Sequence, residues 1–186
     1  MPELKTFMEP KFDKFTQKRA KYTQNFVKKY LSEKSKTVLD IGENNPVGNS
    51  FADLFGLELE NTSGDLDYNF TAPVKNYDVV FCFEVLEHLM SPKYFLLELK
   101  KYISPETQIF ISFPSRPKFL WTYQHFHEYD KKRFNYLMNA CGYQICAIKK
   151  ERIPQPLWRF FCGIRPFFRI FFNRNILVYA KQITKK

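Results

Sequence analysis

Several features are scarce or missing in this 186-residue chain. Its four cysteines, Cys82, Cys141, Cys146 and Cys162, show no CxxC pair or other metal-ligand spacing. That argues against a cysteine-bound metal and a disulfide framework, and at least two of the four sit in apolar runs, as reduced thiols do. No uncharged apolar stretch reaches the roughly 18 residues that a membrane-spanning helix needs. Nothing at the N-terminus has the pattern of a signal peptide, so a cytoplasmic protein is expected. There is no internal repeat and no low-complexity tract.

What is present points to one domain with a substantial core. Hydrophobic residues make up 45% of the chain and aromatic residues 18%, enough for a single core but too little length for two ordinary ones. A single domain over residues 1–186 is therefore expected. The net charge of +10 is unevenly spread. Residues 1–36 carry ten Lys/Arg against four acids, residues 37–148 nine against fourteen, and residues 149–186 ten against one. An acidic centre between basic ends suggests a globular middle flanked by segments that meet an anionic surface, either membrane or nucleic acid.

Residues 1–35 hold a basic amphipathic helix: between Lys11 and Leu31, Phe12, Phe15, Tyr22 and Phe26 recur at helical spacing with lysines between them. Next comes "KTVLDIG" (Lys36 to Gly42), a β-rich run ending in an acid and a glycine, then a short helix in "NSFADLFG" (Asn49 to Gly56). Strand, acidic turn and helix open an α/β unit. "LELEN" (Leu57 to Asn61) is a second strand, and "YDVVFCF" (Tyr77 to Phe83) reads as a central parallel strand covered on both faces. A helix follows over Ser91 to Ser104, with Ser91 as N-cap and Pro92 in the first turn. "QIFISFP" (Gln108 to Pro114) is a further buried strand, Asp130 to Gly142 a helix with an Asp cap and a Gly stop, and Tyr143–Lys149 and Ile176–Gln182 two closing strands.

This order implies a mostly parallel sheet with an antiparallel edge strand and helices on both faces. In such sheets ligands bind beyond the carboxyl ends of the strands. There the central strand runs directly into "EVLEHL", which brings Glu84, Glu87 and His88 to that edge.

"VLDIG" at 38–42 and "YDVVFCFEVLEHL" at 77–89 resemble the first motif and the fourth-strand motif of the class I S-adenosylmethionine-dependent methyltransferases. The resemblance spans roughly residues 36–149. It implies a Rossmann-like methyltransferase fold with a seven-stranded or shortened sheet, S-adenosylmethionine as cofactor, and an acceptor that the motifs do not name. It also implies that Asp40 and Gly42 form the turn at the methionine side and that Glu60 takes the ribose hydroxyls. Asp65 and Leu66 would border the adenine, with Phe83 and Glu84 along the other side. Independently, Glu58 and Glu60 read as the solvent face of an edge-like strand.

Two departures from the family pattern stand out. In "DIGENNPVG", Asn44 and Pro46 occupy the next two glycine positions, and Gly48 lies out of register. The stretch between Thr62 and Tyr77 is too short for a helix plus a third strand, and Gly64 and Pro73 interrupt it, so a direct crossover is expected.

On the acceptor side, His88, His125 and His127 are the candidate catalytic residues. His88 reads either as a general base or as a structural residue of the strand-to-helix turn. The stretch "PSRPKFLWTYQHFH" (Pro114 to His127) follows the strand where the family builds its acceptor pocket, and it offers Tyr123, His125 and His127 for acceptor contact or proton removal. It reads equally as an aromatic loop packed over the domain. "HFHEYD" resembles a metal triad, but the spacing reveals no third, distant ligand, so no metal is assigned.

Residues 153–175 form an aromatic and basic insertion between the last two strands. Trp158 and three Phe-Phe pairs are mixed with Arg159, Arg165, Arg169 and Arg174. Such a mixture suits an element at an anionic membrane surface, with Trp158, Arg159, Phe167, Arg169 and Phe171 as contacts. Packing on the N-terminal helix or in a dimer interface would use the same residues.

The expectation is thus a cytoplasmic S-adenosylmethionine-dependent methyltransferase, peripheral on a membrane, with a small-molecule or lipid-linked acceptor. Asn44 and Pro46 leave open a degenerate, non-catalytic interaction or membrane-binding module. The basic ends leave open a nucleic-acid methyltransferase, although no Asn-Pro-Pro-Tyr-like or Asp-Pro-Pro-Tyr-like motif is present.

Overall fold

The computed structural model describes residues 14–73, 76–121, 123–152, 172 and 174–183. Six strands form one sheet in the order β2-β1-β3-β4-β6-β5. They are β1 (Thr37–Asp40), β2 (Glu58–Asn61), β3 (Tyr77–Phe83), β4 (Ile103–Ser115), β5 (Tyr143–Arg152) and β6 (Arg174–Gln182). The first four are mutually parallel, and β6 runs antiparallel between β4 and β5. This is the shortened, mostly parallel form of the expected sheet.

Strand alternation sorts the core into two layers. Leu39, Val80, Cys82, Ile109, Ile111, Phe113, Ile176 and Val178 face one side, where α3 (Pro92–Leu99) and α4 (Lys131–Ala140) supply Phe95, Leu96, Leu99, Phe134 and Met138. Val38, Val79, Phe81, Phe110 and Leu177 face the other, where α1 (Lys14–Tyr30) supplies Phe26 and Val27 and α2 (Pro46–Phe55) supplies Phe51 and Ala52. Helices therefore cover both faces, as the continuous apolar run of β3 demands. Phe26 meets Phe110 edge to face at 6.5 Å and Tyr30 stacks on Tyr179 at 5.4 Å, which docks α1 across β4 and β6. Burying Phe26 and Val27 contributes about 2 kcal/mol each.

Polar pins fix where elements begin and end. Gln108 of β4 accepts from Ser32 N (2.7 Å) and donates to Tyr30 O (2.6 Å), closing α1. The Asp78 carboxylate accepts from the amides of Lys36 (2.9 Å) and Thr37 (3.0 Å), so the aspartate that opens β3 serves to hold the start of β1.

The elements differ from the expected ones at the start of α2, at the start of β4, and in α3, which ends at Leu99 rather than Ser104. α2 starts at Pro46 because Asn45 is its N-cap, accepting from Val47 N and Gly48 N. Pro46 is thus the first helical residue, where its missing N–H costs nothing. β4 begins at Ile103, since the pairing with β3 slips between Tyr77 and Val79 and a short run is added below the bulge. Ser91 stands at the N-cap of α3, but its side chain makes no capping bond. Asp67 instead braces the residues that lead into the helix, accepting from Met90 N (2.9 Å) and Ser91 N (2.7 Å).

The direct crossover between β2 and β3 is as expected: residues 62–73 and 76 contain turns and one Ser63–Thr71 bridge, and no helix. Phe70 takes the missing helix's place in the core, 5.2 Å from Phe95 and 5.6 Å from Tyr102. Residues 153–171 and 173, and with them Trp158, Arg159, Phe167, Arg169 and Phe171, lie outside the described residues. Phe12 does so as well.

Candidate functional site

The carboxyl ends of β1, β3 and β4 meet the first turn of α2 and the N-terminal half of α1 around a cavity of about 180 Å³. Its lining includes Asp40, Asn45, Gly48, Phe83, Glu84 and Arg19. Each is there for a local reason.

Asp40 ends β1 and is 4% exposed. Desolvation pushes its carboxyl up to about 6, only partly offset by the Asn45 and Asn61 amides. Asn45 links the parts: its Oδ1 caps α2 while its Nδ2 donates to Asp40 Oδ2 (3.1 Å). Gly48 allows that contact, since a Cβ there would stand 2.2 Å from Asp40 Oδ2. Gly42 is needed for a different reason. Its φ of 110° suits glycine, yet a Cβ would meet nothing within 4 Å, so the turn borders open space. Gly42 N donates to Thr62 Oγ1 (2.8 Å), and Asn61 Nδ2 reaches the carbonyls of Asp40 and Gly42.

Across the cavity, β3 ends where Glu84 turns left-handed at φ 58°. That conformation is costly for a residue with a Cβ. Its amide donates to Ser112 O (2.9 Å) of β4. Its carboxylate accepts from Ser112 Oγ (2.9 Å) and from Arg19 Nη1 (3.0 Å) of α1. An ion pair therefore bridges the N-terminal helix to the central strand, 65 positions apart.

Of the seven cofactor residues expected from sequence, Asp40, Phe83 and Glu84 line this cavity, and Gly42 forms the turn two residues after Asp40. Glu60 accepts a short hydrogen bond from the Tyr77 hydroxyl. Asp65 is exposed and folds its own loop by accepting from Asp67 N (2.9 Å), while Leu66 packs on the core. Arg19, Asn45, Gly48, Asn61, Thr62 and Ser112 join the site without having been singled out. Only Asn45 carried a local signal, an Asn-Pro pair of the kind that starts helices.

A second cluster stands beside the first, where loop 116–130 folds over the residues that follow β3. His127 N donates to Glu87 O (3.1 Å), and His88 Nδ1 lies 2.9 Å from Gln124 O. This joins Glu87, His88 and His125, with His88 and His125 in edge-to-face contact at 4.8 Å. Of the "HFHEYD" residues only His125 enters this group, beside Glu87 and His88, which are distant in sequence. Burial and the charges of Glu84 and Glu128 raise Glu87 to about 8. Desolvation, with Arg116 and His88 nearby, lowers His125 to about 4 and keeps it neutral. His127 faces elsewhere, stacked on Tyr129 with Nε2 3.3 Å from Met90 O.

The first cavity offers the Asp40 carboxyl, a Glu84 carboxylate paired with Arg19, an aromatic wall at Phe83 and an open turn at Gly42. These features fit a ligand with cationic groups on an apolar body, as the sulfonium and ammonium of S-adenosylmethionine require. Asp40, Gly42 and Phe83, with Asn61 and Thr62 behind the turn, would hold it, and it supplies an activated methyl group when bound.

A methyltransferase-domain family model matches residues 12–148. No curated protein matches the sequence. Among solved structures, YcgJ from Bacillus subtilis is similar at 13% identity, with 89% of this chain and 100% of the other covered and a TM-score of 0.59. Phosphoethanolamine N-methyltransferase 2 of Haemonchus contortus, solved with S-adenosyl-L-methionine, is similar at 11% identity over 89% of this chain and 53% of its own, with a TM-score of 0.60. The 4+2 cyclase SpnF is similar at 10% identity over 89% and 82%, with a TM-score of 0.61. At such identities the likeness shows the fold alone, and the cyclase illustrates that one fold hosts different reactions. The family model, by contrast, spans well over half of the chain and both motif strands, so the protein belongs to the class I S-adenosylmethionine-dependent methyltransferases, with S-adenosylmethionine as its cofactor.

Proposed function

We propose that this methyltransferase acts on a lipid-linked or membrane-proximal acceptor, with the carboxyl-end face of its sheet turned to an anionic membrane. The observation that carries the reading is the loop after β4. Tyr123 is 100% exposed, Phe126 63% and Phe119 53%, with the exposed Lys118 among them. Phe119 also meets the exposed Phe172 edge to face at 6.1 Å, which joins this loop to the end of the aromatic insertion. Exposed rings gathered at the acceptor side of a site mark a surface that something covers.

Among the described residues no helix is long and apolar enough to cross a membrane. Peripheral contact is the form the reading takes. Each Lys or Arg near an anionic leaflet contributes about 1 kcal/mol, which makes the attachment reversible. His88 and His125 stand on the acceptor side, next to Glu84.

Liposome flotation tests this. Wild type is expected to float with anionic vesicles and not with zwitterionic ones. A variant carrying Tyr123→Ser and Phe126→Ser, and another carrying Trp158→Ser, Phe167→Ser and Phe171→Ser, should each lose most of that binding. Equal and negligible flotation of all three proteins would overturn the membrane reading.

A further inference from the structure

Glu87 is 2% exposed, and neither of its carboxylate oxygens meets a hydrogen-bond donor. Burying a carboxyl in that state is costly. Native proteins keep such a group where an ion or ordered water completes it. The methyltransferase reading makes no use of it.

The neighbours of Glu87 include two imidazoles, each held by a hydrogen-bond acceptor. His88 Nε2 stands 4.0 Å from Glu87 Oε1. One ligand atom from each of Glu87, His88 and His125 lies within 4.8 Å of the others. His88 Nδ1 is 2.9 Å from the Gln124 carbonyl, and His125 Nδ1 is 2.9 Å from Glu128 Oε1. A carbonyl and a carboxylate only accept, so both Nδ1 atoms carry the proton and both lone pairs lie on Nε2. Outer hydrogen bonds of this kind orient metal-bound histidines.

We propose that Glu87, His88 and His125 bind a divalent first-row ion of the Zn2+ type, with Glu128 and the Gln124 carbonyl orienting the imidazoles and one coordination position open to an oxygen ligand. Two imidazoles and one carboxylate with an open position are a donor set that Zn2+ takes at catalytic sites. Ca2+ and Mg2+ select oxygen donors instead. Glu84 is not a ligand, since its oxygens are engaged by Ser112 and Arg19.

Donors bound at 2.0–2.1 Å around a tetrahedral ion sit roughly 3.3 Å apart. The cluster therefore contracts on binding, and the half-exposed His88 has room to move. Glu84 lines the first cavity and lies three residues before Glu87, so the open position adjoins the place of methyl transfer. It suits an acceptor whose reacting group is a hydroxyl or carboxylate oxygen. That substrate class rests on the methyltransferase reading, whereas metal binding does not.

The full chain, stripped with a chelator and dialysed, is titrated with Zn2+ by calorimetry against a competing chelator and with Co2+ followed by visible absorption. One ion per chain is expected, with a Co2+ spectrum of four or five nitrogen and oxygen ligands. Glu87→Gln and His88→Ala should each weaken Zn2+ by more than about tenfold with unchanged circular dichroism, while His127→Ala binds like wild type. No saturable binding, or an equal loss in His127→Ala and His88→Ala, would overturn the proposal. Should His88→Ala fail to fold, the nearly isosteric Glu87→Gln decides alone. Titrating the same proteins with S-adenosylmethionine reads the first cavity separately, so failure of the metal site and failure of the cofactor site give different results.

Discussion

The two ends of β3 are built on opposite terms. At the amino end, the Tyr77 carbonyl accepts from Thr107 Oγ1 (2.6 Å), Asp78 holds two amides of the neighbouring strand, and Gln108 closes α1. The left-handed residue there is Asn76, at φ 65°, a type that adopts this conformation readily. At the carboxyl end the left-handed residue is Glu84, which does not, and around it stand a buried Asp40 raised to about 6 and the unpartnered Glu87. One end satisfies its polar groups and serves the fold. The other stores strain and a buried carboxyl without hydrogen bonds, as functional sites do.

Three substitutions sharpen or break this contrast. The largest effect is expected at Asp40. Its folded pKa of about 6 lies above the ordinary 3.8, so the native chain holds this proton more tightly than the unfolded chain. Its contribution to stability is present below about pH 4 and is lost as pH rises through 6. Two pKa units amount to about 3 kcal/mol. Thermal melts of wild type and Asp40→Asn across pH 4 to 7 should therefore diverge, the variant becoming the more stable and the weaker cofactor binder. Parallel curves would mean that Asp40 is not held against its preference.

Next comes Gln108→Ala at the opposite end. Losing its bonds to Ser32 and Tyr30 should cost about 2 kcal/mol in urea denaturation, and cofactor affinity should stay within about twofold because the site is distant. A large loss of affinity would show that the amino end also shapes the cavity. The smallest stability effect belongs to Glu84→Gly. Relief of the left-handed strain, about 1–2 kcal/mol, offsets a part-exposed ion pair worth at most about 1 kcal/mol and the added chain entropy of glycine. Denaturation midpoints should barely move while methyl-transfer turnover falls more than about tenfold. Strong destabilisation with activity kept would reverse the assignment of the two ends.

Much of this was legible in the chain. The apolar run of β3 and the Ser91-Pro92 start of α3 are local patterns, and the interruption by Gly64 and Pro73 foretold the direct crossover. The run of β3 directly into "EVLEHL" sets Glu84, Glu87 and His88 at the carboxyl edge. α2 starts at Pro46 and not at the expected Asn49, because Asn45 and Pro46 form a helix start inside the stretch where the family pattern has glycines. Arg19 carries no local signal, since lysines surround it on a helix whose polar face reads as solvated, yet it reaches Glu84 across the cavity.

By itself, the sequence determined the periodicities and the turn residues, and with them the α/β class, while its two motifs carried the family resemblance that implied the cofactor. These depend on neighbours a few positions apart, which a strand or helix repeat exposes directly. Only the tertiary structure decided that Arg19 meets Glu84, that Gly48 lies against Asp40, and that His125 comes to His88 and Glu87. Those pairings are set by how α1 and loop 116–130 pack over the sheet, and packing between distant segments leaves no period in the chain.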